Sequence, residues 1–162
     1  NKGVNMKKWL IGLLSLMVAS AVFAESDIDK GLKELDVIDA HYVYTDVDAI
    51  AGFFTMVTDT YSKSLPMNFN RFIEVTGIMM TPYYGNFGYR YTIPLNAAER
   101  REVKQNLASK QNVREVCEDS FLPERFMVAN NFTLVYSYMD VDYRPLAEVK
   151  ASNDICAAAL AP

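Results

Sequence analysis

Apolar side chains recur at helical spacing in three parts of the chain. Between residues 45 and 64 they return every three or four positions, and Leu65-Pro66 ends the pattern because the residue before a proline disfavours helical geometry. A second helix opens where Asn96 and Glu99 form a capping pair, and its apolar side continues to Cys117. A third, shorter helix is predicted from about residue 120 to 129, with Asn130 as its left-handed stop.

Strict alternation of apolar and polar residues predicts strands between these helices. Residues 71–81 are rich in β-branched and aromatic side chains, residues 82–86 contain turn formers, and residues 87–93 alternate most regularly. Residues 132–139 and 143–150 repeat the arrangement around a short turn. Each pair of neighbouring strands is therefore predicted to form an antiparallel hairpin.

The order of elements predicts an α+β fold, because helices and strands occur in separate runs. We expect an antiparallel sheet of about four strands, in two hairpins, with two or three helices packed on one face. Residues 25–44 are hard to assign, although four apolar positions there fit a short helix. The predicted domain spans residues 25–156, and residues 157–162 are predicted to be a mobile tail.

The beginning of the chain has the features of a secretory signal peptide. Met6-Lys7-Lys8 supplies a short positive region, residues 9–22 are almost wholly apolar, and Val22-Phe23-Ala24 places small residues at the positions that signal peptidase reads. The apolar run is shorter than the roughly 20 residues of a spanning helix. We therefore expect residues 1–24 to be removed, no stable membrane span afterwards, and a bacterial protein located in the periplasm or secreted.

Removal of residues 1–24 changes the charge of the chain. The full sequence has 16 Lys+Arg and 20 Asp+Glu, whereas the mature 138 residues have 13 and 20, a net charge of −7. This acidic balance argues against a nucleic-acid partner, which requires a basic surface. With 51% hydrophobic and 22% charged residues, the composition also excludes a disordered tail or a fibre.

Two cysteines, Cys117 and Cys156, lie in the part of the chain that is predicted to be exported. Two cysteines in such a domain most often form one disulfide, and a loop of this length gives at most about 4 kcal/mol in the chain-entropy treatment. A reactive thiol is the rival reading. The absence of CxxC spacing in an oxidising compartment disfavours it.

Several features of the mature chain together resemble a known group of proteins. They are the Leu65-Pro66 pair, the strand ending in Tyr89-Arg90-Tyr91, the helix that closes at Val116-Cys117, and Tyr136-Ser137-Tyr138 before Cys156. This combination resembles a group of small exported bacterial proteins, most of which have no assigned function. The resemblance implies a periplasmic α+β domain with a Cys117–Cys156 disulfide, and it carries over no catalytic residue. One departure is the turn at residues 140–142, which lacks the expected glycine.

Few residues of the chain can support catalysis or metal binding. His41 is the only histidine, and we interpret it as a surface or half-buried side chain rather than a general base. A zinc site needs more His and Cys ligands than the chain offers. Two Asp-x-Asp pairs do not extend into a calcium loop and are better explained as helix-start and turn residues. We expect no metal, no cofactor and no catalytic residue.

Glu74 and Glu148 are the carboxylates that would be tested first for a hydrolase of envelope polymers. Both lie in predicted strands, and glycoside hydrolysis uses a pair of such groups. A strand glutamate more often simply faces solvent. Nothing in the sequence places the two side chains near each other.

Tyrosine is unusually frequent in the mature chain, which keeps all ten. Cross-strand packing explains most of them, while a contact surface is the alternative, because tyrosine is enriched at interfaces. The leading hypothesis is a non-enzymatic domain that binds a protein or envelope component, a class to which inhibitor and immunity proteins also belong. A carboxylate hydrolase and a purely structural or oligomeric domain are the alternatives. The candidate contact surface comprises Tyr83, Tyr84, Tyr143, Glu74 and Glu148.

Overall fold

Five strands form one sheet in the order β1-β2-β3-β4-β5 in a computed structural model that describes residues 25–162. The predicted signal peptide lies outside the described residues. The strands are β1 (Met67–Asn68), β2 (Ile73–Met80), β3 (Tyr84–Tyr91), β4 (Thr133–Met139) and β5 (Pro145–Ala151). The α-helices are α1 (Asp27–Glu34), α2 (Val47–Ser62), α3 (Ala97–Leu107), α4 (Lys110–Val116), α5 (Arg125–Ala129) and α6 (Asn153–Leu160).

The sheet consists of the two predicted hairpins, joined side by side. β2 pairs with β3 and β4 with β5 in antiparallel fashion, which confirms the α+β class. The prediction of a wholly antiparallel sheet is wrong at the centre, where β3 and β4 run parallel. The helices between residues 91 and 133 return the chain to the end of the sheet where β3 begins, and a parallel pair requires such a crossover. The short β1 adds a fifth strand beside β2.

The hydrophobic core lies between the helices and one face of the sheet. Met80, Leu134 and Ala151 contribute to it from three strands, and four phenylalanines from the helices and loops fill the space above them, namely Phe54, Phe121, Phe126 and Phe132. By the strand register, Asn86, Ser137 and Glu148 point to the opposite face. None of the residues on that face belongs to the core cluster. We call it the open face.

The disulfide between Cys117 and Cys156 is formed, as predicted. Both cysteines are buried, and their Cα atoms are 5.5 Å apart. The bond joins the segment after α4 to α6, the last helix. Residues 157–160 belong to α6, and Ala159 is buried there, so the predicted boundary at residue 156 falls inside a packed helix.

The predicted second helix is divided into two. Its start is confirmed, because Asn96 and Glu99 form a complete capping box. Ser109 then caps a new helix, α4, by accepting a hydrogen bond from the backbone of Asn112. Residues 117–121 continue α4 as one π-helical turn, in which the Leu122 N–H donates to the Cys117 carbonyl. The predicted third helix therefore begins at residue 125 rather than 120.

Two five-residue turns share one backbone arrangement. We call Asp39–Val43 the first turn and Asp140–Arg144 the second turn. In each, the N–H of the opening aspartate donates to the carbonyl of the fifth residue, at 2.9 Å and 3.0 Å respectively. The side chain of Asp39 or Asp140 accepts hydrogen bonds from the third and fifth backbone N–H groups of its own turn. The aspartate thus fixes the turn from inside.

The fourth residue of each turn is a tyrosine with left-handed backbone geometry. Tyr42 has a φ of 66° and Tyr143 a φ of 62°. Glycine adopts this region without a steric penalty, whereas other residues pay about 1–2 kcal/mol. The glycine expected near residues 140–142 is therefore replaced by Tyr143. The side chains of the two tyrosines have different surroundings: Tyr42 is 9% exposed and Tyr143 is 59% exposed.

Candidate functional site

Aromatic side chains cover the helix-facing side of the two central strands. Tyr89 and Tyr138 are register partners, and their rings stack with centroids 5.2 Å apart. Tyr136 meets Tyr89 edge to face at 5.6 Å and also contacts Phe87 at 5.7 Å. Offset stacks and edge-to-face pairs are the favoured geometries for aromatic rings. The rings form a continuous aromatic floor across the parallel strand pair.

A cavity of about 220 Å³ lies above this floor. Phe69, just after β1, stands at the mouth, where its side chain is 65% exposed and its ring contacts Tyr89. The helical wall is formed by the end of α4 and the π-helical turn. We call this site the tyrosine cavity, and its lining residues are Phe69, Ile73, Tyr89, Val116, Ser120, Tyr136 and Tyr138.

Two tyrosine hydroxyls in the cavity have no hydrogen-bond partner among residues 25–162. These are the hydroxyls of Tyr89 and Tyr138; the Tyr136 hydroxyl, in contrast, hydrogen-bonds Ser120. Among the described side chains, no fully buried nitrogen or oxygen atom lacks a partner. The two free hydroxyls must therefore reach accessible space, where they can donate to or accept from a bound group.

Burial keeps these hydroxyls uncharged. It raises the pKa of Tyr89 above its usual value and raises the pKa of Tyr138 to about 12. Burial also raises the pKa of Tyr136, although the hydrogen bond with Ser120 acts in the opposite direction. None of the seven lining side chains carries a charge near neutral pH. The cavity can therefore take an apolar group and offer it one or two hydrogen bonds.

The π-helical turn at Cys117–Phe121 positions one wall of the cavity. An extra residue in a helical turn changes the direction of the side chains that follow it, and such turns are frequent at functional sites. Here the turn carries Ser120 to Tyr136, while Cys117 in the same turn is fixed by the disulfide. The covalent bond and the cavity wall are parts of one segment.

A larger but shallow depression, of about 410 Å³, lies beside the first turn. His41 lies at its edge as an exposed side chain, in agreement with its interpretation as a surface residue. The Tyr42 hydroxyl already donates to Glu25 at 2.8 Å and accepts from Lys33 at 2.9 Å and Arg125 at 2.6 Å. Because its polar groups are engaged in holding the fold, this depression is a weaker candidate than the tyrosine cavity.

The two candidate carboxylates of the sequence do not meet. Glu74 lies on β2 and Glu148 on β5, so three strand spacings, roughly 14 Å, separate them. Paired catalytic carboxylates stand about 5–9.5 Å apart. Each is also held by a cation: Arg90 binds Glu74 at 2.6 Å, and Lys150 lies 3.1 Å from Glu148. These two residues cannot form the pair that a glycosidase requires.

The five predicted contact residues are distributed over different parts of the molecule. Tyr143 and Glu74 come together, because both contact Arg90 on the open face. Tyr84 lies at the far end of β3, where its hydroxyl accepts a hydrogen bond from Asn86. Tyr83 packs against the ring of Tyr44. The tyrosine cavity, which sequence reasoning did not single out, brings together more aromatic side chains than any of these positions.

No cluster of three or more His, Cys, Asp or Glu side chains suited to a metal ion occurs in residues 25–162. Over the same residues, none of the helices is long and apolar enough to cross a membrane.

Comparison with known proteins shows similarity only at the level of the fold. No protein-family model matches the chain, and no curated protein sequence does so. A solved Pseudomonas aeruginosa protein, provisionally described as secreted, is 13% identical with a TM-score of 0.51, over 68% of this chain and 95% of that one. A pilotin of the Vibrio vulnificus type 2 secretion system is 10% identical with a TM-score of 0.45, over 68% and 94%. At these identities only the fold of the first comparison is informative.

Proposed function

We propose that this chain is an exported bacterial domain of non-enzymatic type that binds a partner protein, and that the tyrosine cavity receives an apolar side chain of that partner. The observation that carries the proposal is an uncharged aromatic cavity with two free hydroxyls. Tryptophan, tyrosine and arginine are the residues that most often dominate binding energy at protein interfaces.

The size of the cavity favours a single side chain over a whole small molecule. Pockets for small ligands and cofactors measure about 300–1,000 Å³, whereas this cavity has about 220 Å³. The exposed ring of Phe69 at the mouth adds apolar surface that a partner would cover. Interfaces typically place an apolar anchor in such a pocket and surround it with weaker contacts.

The proposed location is the periplasm. The predicted signal peptide and the disulfide both support it, because structural disulfides persist in oxidising compartments. The fold is also found in the Pseudomonas aeruginosa protein that is described as secreted.

A photo-crosslinking amino acid in the cavity tests the proposal. We would place it at Ile73 or Ser120, with Asp59 on the exposed side of α2 as the control position, and irradiate cells of the source bacterium. We expect one protein adduct of defined mass from both cavity positions and none from the control. Absence of an adduct, or equal adducts at all three positions, would contradict the proposal.

Matched variants then separate the hydroxyls from the rings. Tyr138→Phe and Tyr89→Phe each remove one free hydroxyl, and we expect affinity for the captured partner to fall about fivefold, the equivalent of about 1 kcal/mol. Tyr138→Ala removes the ring as well and should weaken binding more than tenfold. Tyr84→Phe on the open face is the control and should leave affinity unchanged. Circular dichroism of each variant shows whether the fold is retained.

A further inference from the structure

The outer edge of β5 is unpaired within the described residues. β5 is the last strand of the sheet, and the backbone hydrogen bonds of Pro145–Ala151 run only to β4. Such an edge presents a row of N–H and C=O groups that can pair with another strand. The two charged side chains of β5 determine which partner strand fits this edge.

Glu148 and Lys150 point to the open face from neighbouring positions of β5. They pair with Ser137 and Val135 of β4 in the register, and both are exposed, with 55% and 51% of their side-chain surface accessible. Within the chain they already form an ion pair at 3.1 Å. No other charged side chain belongs to β5.

We propose that β5 pairs antiparallel with β5 of a second copy of this chain, with Val149 at the centre. In this register Glu148 lies opposite Lys150 of the second copy, and Lys150 lies opposite its Glu148. Opposite charges on facing strands stabilise a pair, and the four side chains form an alternating network. On the covered face, Val149 lies opposite Val149 of the second copy and Ala147 lies opposite Ala151, so the facing residues of the two strands have small or medium-sized side chains.

The charges also select this register over its neighbours. An antiparallel pair centred on Glu148 places two glutamates opposite each other, and one centred on Lys150 places two lysines opposite each other. Like charges on facing strands are destabilising. A slip by one residue turns every side chain to the other face of the sheet. The sequence of β5 is therefore complementary to itself in one arrangement, which joins two five-stranded sheets into one of ten strands. This inference is independent of the tyrosine cavity.

Charge reversal tests the pairing in solution. The processed protein, purified from the periplasm, is examined by light scattering and sedimentation over micromolar to millimolar concentration, and we expect a reversible dimer. Glu148→Lys and Lys150→Glu each create like-charged pairs, and each should weaken dimerisation about tenfold or more. Both residues are exposed, so we expect the two variants to remain folded.

Recombination of the charges makes the test specific. The double variant Glu148→Lys/Lys150→Glu restores opposite pairs and should dimerise again. An equimolar mixture of the two single variants should form a heterodimer, because one copy then carries two lysines and the other two glutamates. Asp59→Lys, a charge reversal at an exposed position of α2, is the control that should leave the dimer unchanged. The proposal would be overturned by a wild-type protein that stays monomeric over the whole concentration range, or by a dimer whose stability is the same in all of the charge variants.

Discussion

The first and second turns have the same backbone and opposite surroundings. Both open with an aspartate that accepts two backbone hydrogen bonds from its own turn, and both have a left-handed tyrosine in fourth place. Tyr42 enters the core, where its hydroxyl holds three side chains together. Tyr143 stays exposed and lies over the guanidinium of Arg90. The aspartate defines the turn, while the neighbouring elements decide what the tyrosine does.

The two tyrosines offset their backbone strain in different ways. A left-handed residue other than glycine costs about 1–2 kcal/mol. Burial of a large side chain gives about 1.5–3 kcal/mol, which exceeds this penalty at Tyr42. A cation–π contact at an exposed site gives about 0.5–1 kcal/mol. At Tyr143 this gain therefore offsets only part of the cost of the left-handed backbone. The ring of Tyr143 also lies against Arg90, which forms an ion pair with Glu74.

Alanine substitution should separate the two turns most strongly. We expect Tyr42→Ala to lower the free energy of unfolding by about 3 kcal/mol, because it leaves a cavity and removes a shared hydrogen-bond partner. Tyr143→Ala should lower it by about 1 kcal/mol at most. Urea unfolding followed by circular dichroism measures both. Equal losses in the two variants would contradict the comparison.

Replacement of the opening aspartates should give the second-largest difference in stability between the two turns. Asp39 is exposed and serves only its own turn, whereas Asp140 is 2% exposed and also binds Arg100. We expect Asp140→Ala to lower the melting temperature more than Asp39→Ala does. Asp140→Asn keeps an acceptor for the turn but removes the charge, so it reports the part of the loss that depends on the charge. If Asp39→Ala is the more damaging variant, the ion pair contributes little.

Acid should remove the charge-dependent part of this difference. Burial acts to raise the pKa of Asp140, but hydrogen bonds from the Arg144 backbone, the Arg100 side chain and the Asp142 backbone together lower the pKa below its usual value. A carboxylate with a lowered pKa stabilises the fold above its unfolded pKa of about 3.9, and this contribution is lost as the pH falls through the folded pKa. The melting temperatures of wild type and Asp140→Asn should therefore differ at pH 7 and converge below about pH 4. A gap that persists in acid would contradict a charge effect.

The smallest expected effect is the difference in stability between glycine and alanine at the left-handed positions. At position 143 we expect Tyr143→Gly to be more stable than Tyr143→Ala by about 1 kcal/mol, since glycine adopts positive φ without strain. The same difference should appear between Tyr42→Gly and Tyr42→Ala, on top of the larger loss there. If alanine and glycine are equivalent at both positions, the positive φ is not retained in the variants.

Local signals in the sequence predicted individual elements well. The capping box at Asn96 and the alternation around Tyr89 depend on neighbours in the chain, and both are found. The sequence predicts a turn at the start of β3, because Gly85 and Asn86 are typical turn residues. Gly85 instead lies in the strand, and this position requires a glycine because a Cβ would come within 2.7 Å of Met80 Sδ. The left-handed residue after α5 is Asn131, whereas Asn130 extends its side chain to the Tyr42 carbonyl.

Contacts between residues that are distant in the chain could not be predicted from local sequence signals. The parallel pairing of β3 with β4 depends on how the intervening helices cross the sheet. The tyrosine cavity depends on where the π-helical turn and Phe69 meet the sheet. One sequence signal was available, because tyrosine rather than leucine or valine occupies inward positions of two neighbouring strands, as at Tyr89 and Tyr138. Inward hydroxyls need a partner or open space.

The parallel contact at the centre of the sheet also affects how fast the protein can fold. Each hairpin joins strands that are close in the chain, but residues 91 and 133 lie on either side of all the helices of the crossover. Contacts between distant residues slow folding, because a long loop must close before the contact forms. We therefore expect two early hairpins and a late central ladder. During that interval, the edges of β3 and β4 that later pair with each other remain open to the strands of other unfolded chains.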